Sequence, residues 1–419
     1  MNRNIPDGWN LIHLGDYVSV LTGFPFSSVK YSENSSEINL IRGANIGQGH
    51  FKWNDTVYWP TELVSDYKDY FLEIGDIVLA MDRPWIPAGI KYAWITEKEI
   101  PCLLVQRVAR IRGSVNLLTE YIRHLFASNS FSIHIQKSIT GTNVPHISKA
   151  DIENYKFLLP PISEQTKIAS ILSIWDEAIA LTEKLIAGLQ QRKKGLMQRL
   201  LIGEVRFPKI IQSNNIQETK YGDLPADWKY VSISEIADQV TNKNKNGDDL
   251  PVLSCTKYDG LVDSLEYFGR QIFSDDLSSY KIVDRGQFAY ATNHIEEGSI
   301  GYQDLHEQAV ISPMYTVFQT NNRVNDSFLY KLMKTELYRH IFEINTSASV
   351  NRRGSLRWNA FSQIKIPLPS LEEQATIADV IDTSDNQIAV AKKYLDALQT
   401  QKKGIMQRLL TGQIRVDVD

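Results

Sequence analysis

The strongest constraint on this chain is that one helical segment occurs in it twice. Residues 160–206 return without a gap as residues 369–415. The pairs Glu164/Glu373, Gln165/Gln374, Ile168/Ile377, Lys193/Lys402, Gly195/Gly404, Met197/Met406, Arg199/Arg408, Leu201/Leu410 and Gly203/Gly412 all stand 209 positions apart. One spacing kept over such a length marks a duplicated module, and duplication decides the architecture before local patterns do. The stretches ahead of each copy match poorly. The plan is therefore a shared scaffold carrying two divergent domains, suited to meeting two different things at a fixed distance.

The repeated segments read as helices. Ile168, Leu172, Trp175, Ile179, Thr182, Ile186, Leu189, Lys193, Leu196 and Leu200 alternate steps of four and three. Ile377, Ile381, Ser384, Ile388, Ala391, Leu395, Leu398, Lys402, Ile405 and Leu409 keep the same register. That is a heptad seam with a few polar breaks, as in a coiled coil. Prolines at 160, 161, 367 and 369 stop any helix upstream. Ser370-x-x-Glu373 fits a capping box, Ser163 is the expected N-cap of the first copy, and Gly203 and Gly412 suit C-terminal caps. At about 1.5 Å per residue, each helix covers more than about 50 Å. A polar, asparagine-rich linker follows the first helix. To bury its seam, the second helix must run back along the first, giving an antiparallel pair with pseudo-two-fold symmetry. The C-terminus is then expected near the first domain.

Each module opens alike, with Pro6-Asp7-Gly8-Trp9 and Pro225-Ala226-Asp227-Trp228. In mid-module, Gly75-Asp76-Ile77-Val78-Leu79-Ala80 parallels Gly286-Gln287-Phe288-Ala289-Tyr290-Ala291, a glycine turn leading into an apolar strand. The variable parts are rich in aromatic and β-branched residues with frequent glycine and asparagine turns, so they read as mixed α/β (α+β) domains. The expected layout is a first domain at 1–158, a helix at 159–205, a linker at 206–224, a second domain at 225–366, a helix at 367–413 and a tail at 414–419.

Composition excludes several classes. With 419 residues, 43% of them hydrophobic and 22% charged, the chain suits two or more globular domains. A formal net charge of −4 does not suit holding nucleic acid by bulk charge. Cys102 and Cys255 are too few for a disulfide framework or a zinc site, so they read as incidental thiols in a reducing compartment. No secretory leader and no membrane-spanning run is evident, so a cytoplasmic protein without membrane contact is expected.

Two motifs carry a family resemblance. Leu-Pro-x-x-x-Glu-Gln (159–165 and 368–374) opens each helix, and Lys-Lys-Gly-x-Met-Gln-Arg-Leu-Leu (193–201 and 402–410) closes it. With the paired variable domains, the chain resembles the specificity subunit of a type I restriction–modification system. The resemblance implies two target-recognition domains, each reading one half of a split, asymmetric double-stranded DNA target. The helices would set the gap and dock two modification subunits. Two readers on a rod suit successive major-groove faces about 34 Å apart. It further implies that the chain is not an enzyme. Methylation and cleavage would lie in the modification and restriction subunits, and S-adenosylmethionine, ATP and Mg²⁺ with them, leaving this chain without cofactor or metal. In agreement, the chain has no phosphate-binding Gly-x-x-x-x-Gly-Lys-Ser/Thr loop. Nor has it an Asn/Asp-Pro-Pro-aromatic tetrapeptide. His13, His50 and His124 stand alone and read as surface or structural residues.

Base reading needs Arg, Lys, Asn or Gln on loops that reach groove edges. In the first domain the candidates are Arg42 and Asn45, then Arg83 past the apolar strand, then Thr142, Asn143 and His146 in the 140–146 loop. In the second they are Lys257, Asn293 and His294, with Asn351, Arg352, Arg353 and Arg357 in the most basic loop of the chain. Trp53, Trp59, Trp85 and Trp94 read as core or turn packing rather than base-stacking groups. Lys193 and Lys402 fall on the seam, where their stems can pack and their charges favour a helix C-terminus. The acidic total predicts weak DNA binding by this chain alone, with modification subunits needed for stable complexes. Two alternatives remain open from sequence. One is a specificity subunit of a type II-like fused restriction–modification complex, and the other is a non-DNA adaptor with two domains on a coiled-coil ruler.

Overall fold

A computed structural model of the chain describes residues 5–87, 89–139, 144–220, 222–346 and 354–418. The chain forms two compact units, residues 1–184 with 393–419 and residues 185–392. The division runs through both long helices, Ile162–Leu200 and Leu371–Leu410. Each unit therefore holds the start of one helix and the end of the other.

In the first unit a four-stranded antiparallel sheet has the order Ser19–Thr22, Val108–Arg112, Ile77–Ala80, Tyr92–Trp94. A second sheet pairs Ile38–Ile41 with Tyr58–Trp59 and, in parallel, with Cys102–Leu104. Helices Thr119–Ala127 and Asn129–Ser138 follow, and Lys156–Leu159 closes the domain against Asn10–His13. The second unit repeats this plan. Its antiparallel sheet runs Ala237–Val240, Tyr315–Thr320, Phe288–Ala291, Ile300–Tyr302. Its second sheet runs Gly260–Asp263, Val252–Thr256, Gln308–Ile311, Lys281–Asp284, again with one parallel pair, Val252–Thr256 with Gln308–Ile311. Helices Asp326–Met333 and Glu336–Asn345 precede Lys365–Leu368, which pairs with Lys229–Ser232. Sequences that match poorly thus share one topology. Gly75 (φ 93°) and Gly286 (φ 89°) make the left-handed turn that feeds each central strand, and all four residues of both central strands are buried.

The seam residues of both helices are buried or half-buried along their whole length. In the first unit Ile168 and Leu172 join one core with Met406, Leu409 and Leu410. In the second, Leu200 and Leu201 join Ile377, Ala378 and Ile381. Within each unit the helix segments are thus antiparallel, and the C-terminal segment lies against the first domain. Lys193 donates to Asp385 at 2.5 Å, and Lys402 makes the equivalent bond to Asp176. The seam lysines are therefore register pairs between helices, rather than charges facing their own helix ends.

The Glu-Gln motif has a structural explanation. Glu164 is buried and accepts from Trp9 Nε1 (3.2 Å) and from Arg415 (2.8 and 2.5 Å). Glu373 accepts from Trp228 Nε1 (2.9 Å) and from Arg206 (2.8 Å twice). Each is a clasp tying the start of one helix to the end of the other and to the opening tryptophan of its domain. The neighbouring Gln165 donates to the carbonyls of Pro160 and Asn116 and accepts from Leu118 N. Gln374 does the same with Pro369, Arg323 and Asn325.

Three expectations change. The first helix begins at Ile162 after two prolines, and Gln165 N bonds Pro161 O at 2.9 Å, so Ser163 lies inside its first turn. Proline suits that entry because it has no N–H to satisfy. Ser370 Oγ does accept from Glu373 N, but the Glu373 side chain goes to the clasp and the box is half made. The expected linker at 206–224 also carries strand structure, since Ile216–Thr219 pairs with Gly222–Pro225 as a hairpin. Gln217, not an apolar stripe, fixes it by donating to the carbonyls of Pro225 and Trp228. Among the described residues no helix is long and apolar enough to cross a membrane.

Candidate nucleic-acid interface

In the first unit three loops meet past the end of the Ile77–Ala80 strand. Met81 N donates to Arg107 O (2.8 Å), Ile147 N to Met81 O (2.9 Å) and Arg83 N to Pro145 O (2.6 Å). Backbone stitching brings their side chains together. Arg107 Nη1 donates to Asp82 Oδ2 at 2.7 Å, and His146 Nδ1 donates to Asp82 Oδ1 at 2.6 Å. Among the described residues, Arg83 (φ 44°) and Arg107 (φ 64°) are the positive-φ residues other than glycine. That conformation is disfavoured for a side-chain-bearing residue and persists only where surroundings over-determine it. The Lys91 ammonium is held below the usual lysine range by burial, then by the nearby charges of Lys52 and Arg83. The result is a cationic face of Lys52, Arg83, Lys91 and Arg107 with one carboxylate set into it.

Of the sequence candidates, Arg83 and His146 fall in this cluster. Arg42 is half-buried and its guanidinium donates to the carbonyl of Asp55. Asn45 does not serve as a base reader. It is 1% exposed, its Oδ1 accepts from Arg42 N and its Nδ2 donates to Lys52 O, so its amide closes its own loop. Thr142 and Asn143 lie outside the described residues. Sequence reasoning missed Lys52, Lys91 and Arg107. The signal for Arg107 was available, because it is the turn residue between two apolar strands, Cys102–Leu104 and Val108–Arg112. Of the tryptophans, Trp59 is buried and Trp94 carries Arg123 at 4.4 Å from its ring. Trp53 and Trp85 are partly exposed.

The second unit builds the corresponding place from other residues. Leu356 N donates to Thr292 O (2.7 Å), and Thr292 Oγ1 donates to Met314 O (3.2 Å). Asn293 is half-exposed, and His294 is exposed with Nδ1 3.2 Å from Glu297. Arg357 is exposed at the head of the short helix Trp358–Phe361. Lys257 lies 5.4 Å from the ring of the exposed Tyr258. Its carbonyl, with those of Gly298 and Ile300, accepts from Lys334, whose pKa burial lowers. Asn351, Arg352 and Arg353 lie outside the described residues. Among the described residues, one group of three possible metal donors, His294, Glu296 and Glu297, comes together on a single turn.

The same strand ends thus carry exposed polar loops in both units. A family model described as the type I restriction modification DNA specificity domain matches residues 6–191 and again residues 225–400. The chain belongs to that family.

The type I restriction enzyme MjaVIII specificity subunit of Methanocaldococcus jannaschii is 26% identical over 435 residues, spanning 98% of this chain and 94% of that protein. The EcoAI specificity subunit of Escherichia coli is 36% identical over 181 residues, 43% of this chain and 30% of its own length. A crystal structure of the S subunit of a type I restriction–modification system from M. genitalium superposes with a TM-score of 0.55 at 15% identity, covering 98% of this chain and 97% of that one. A chain from a structural study of complex assembly and conformational transition of the type I system gives 0.59 at 18% identity, covering 98% and 100%. At such identities these likenesses carry the fold. With the family match, they make the chain a DNA-specificity subunit of the type I class and disfavour the adaptor reading.

Proposed function

We propose that each unit reads one half of an asymmetric, bipartite double-stranded DNA target, and that the paired helices set the spacer between the halves. The observation that carries this reading is the stitched loop cluster, which recurs at equivalent strand ends with different side chains. One backbone with two chemistries suits two unlike half-sites. Base reading depends on which donors, acceptors and methyl groups a loop presents to the major groove.

Two equivalent grooves support docking of one kind of partner in two copies. One, of about 620 Å³, is lined by Lys194, Met197, Leu201 and Leu337. The other, of about 570 Å³, is lined by Lys403, Met406, Leu410 and Ile133. In this reading the partners are modification subunits, which bring S-adenosylmethionine. Restriction subunits bring ATP and Mg²⁺, and this chain performs no catalysis. The complex works in the cytoplasm. The net charge of −4 suits weak binding of DNA by the chain alone, since counterion release scales with the phosphates neutralised.

The test is methylated-base mapping of DNA from cells expressing the chain with its modification subunit. A split, asymmetric motif modified in each half is the expected result. A continuous motif, or no new modification despite a stable complex, would overturn the proposal.

A further inference from the structure

Strand register fixes an equivalence that the sequence alone conceals. Ala80 pairs with Val108 in the first unit, and Ala291 pairs with Tyr315 in the second. Arg107, just before Val108, therefore corresponds to Met314, and Asp82-Arg83 corresponds to Asn293-His294. The bonds Ile147 N to Met81 O and Leu356 N to Thr292 O align the third loop and match His146 with Ser355. A pair of arginines with the Asp82 carboxylate in one unit is thus matched, position for position, by Asn293, His294 and an apolar Met314 in the other.

Arg107 combines features that a stray surface arginine lacks. Its side chain is 66% exposed, yet it is held by Asp82 and its backbone is kept at φ 64°. Met314, at the matching place in the second unit, is 63% exposed and offers neither charge nor hydrogen-bond donor. We infer that Arg107 and Met314 are the equivalent base-reading positions of the two units, Arg107 taking a guanine edge and Met314 packing on a thymine methyl. The inference rests on the bipartite reading above and assigns residues to it.

The chemistry favours bases over phosphates at both positions. Asp82, 2.7 Å from the guanidinium, cancels much of its long-range pull on a phosphate. It also aims the fork, which matters for the paired N7 and O6 acceptors of guanine and not for a point charge. Asp82 is thus a positioning residue. Met314 has no donor for a phosphate, and the thymine methyl is the apolar feature of the major groove. Lys52 and Lys91 are left to hold the backbone around Arg107.

The test uses the full chain with its modification subunit and maps methylated bases. Arg107→Gly keeps the backbone, because glycine accepts φ 64° at no strain, and Arg107→Asn is a second variant that tolerates it. Both should relax or switch one guanine position in one half-site, with discrimination there falling about 10- to 100-fold. Met314→Ala should relax one thymine position in the other half-site by a smaller factor. Unchanged motifs in all three variants overturn the assignment. A uniform drop in modification with both half-sites intact also overturns it, because that marks a phosphate contact. A wild-type motif that is not split overturns the assignment and the bipartite reading together, whereas a split motif indifferent to these variants sinks the assignment alone.

Discussion

At the end of the first long helix Arg206 sits between two carboxylates, Glu373 and Asp227, with its side chain 8% exposed. At the end of the second, Arg415 has Glu164 and the carbonyl of Asp7, and is 44% exposed. The duplication kept a buried glutamate, an arginine and a tryptophan at both ends. What differs is the chain that follows. Ile216–Thr219 and Gly222–Pro225 pair as a hairpin, Ser213 O accepts from Arg206, and Gln212 N donates to Asp227. Burial pushes the Asp227 carboxyl up, but its bonds from Arg206 and Gln212 outweigh this and leave it below the usual range. The same clasp is therefore a sealed network in one unit and a half-open pair in the other.

The largest test of this contrast removes the cations. Arg206→Ala strands two carboxylates in a covered site and should destabilise the second unit by about 3–5 kcal/mol. Arg415→Ala lets water replace an exposed partner and should weaken the first unit far less. Hydrogen exchange read separately in the two units measures both. Equal losses would mean that the hairpin does not seal the clasp.

Acid should act the other way round. His124 on the Thr119–Ala127 helix is buried beside Ser173 and Asp176, and burial, then Arg123, pulls its pKa down to about 4. Its counterpart in the second unit is Lys331, bonded to Asp382 at 2.6 Å. A histidine pKa lowered by folding leaves the unfolded chain binding more protons below about pH 6.5. Stability is thus complete above that value and falls as pH drops toward 4, by about 2 kcal/mol at pH 5. The loss should be confined to the first unit and disappear in His124→Gln. A loss shared by both units would rule out His124 as its source.

A smaller effect is expected at the helix caps. A Cβ on Gly203 (φ 76°) would stand 2.5 Å from Pro225 and 3.2 Å from Trp228, and one on Gly412 (φ 68°) 2.4 Å from Pro6. Gly203→Ala should lower stability by about 1–2 kcal/mol from backbone strain alone. Gly412→Ala should lower it less, because its Cβ would crowd one atom of Pro6 rather than two of Pro225 and the Trp228 ring. Thermal unfolding of the two variants ranks them, and the reverse order would locate the stiffer cap in the first unit.

Smallest should be the register pairs. Double-mutant cycles on Lys193–Asp385 and Lys402–Asp176 should each give about 0.5 kcal/mol, as for part-exposed ion pairs. The second should be the larger, because its side chains are 16% and 36% exposed against 26% and 47% in the first, and water screens it less. A coupling of zero in both would leave the helix register to the apolar seam.

Much of the architecture was legible because it repeats. The spacing of 209 exposed both helices, and the heptad seam located the residues that are buried. The domains were legible only as a class, since their common topology survives in strand order and not in residue identity. The candidate site was legible in part. Arg83 and His146 were found because each stands beside an obvious strand or turn. Arg107, Lys52 and Lys91 were missed because cations scattered over three loops show no spacing. Asn45 misled for the opposite reason. A loop asparagine has one pattern in sequence, whether it faces a base or closes its own turn, and only its burial separates the two.

By itself the sequence determined the duplication, the helix seams, the glycines that end both helices, the antiparallel return and the family. These follow from local periodicity and from segment copying, both of which are written along the chain. Only the tertiary structure decided what the Glu-Gln motif does, which lysines pair across the seam, and that Arg107 answers to Met314. Those facts depend on contacts between residues far apart in the chain, 251 positions in the Arg415–Glu164 bond and 408 in the Arg415–Asp7 bond. Packing and strand register bring such residues together, and no one-dimensional pattern encodes them.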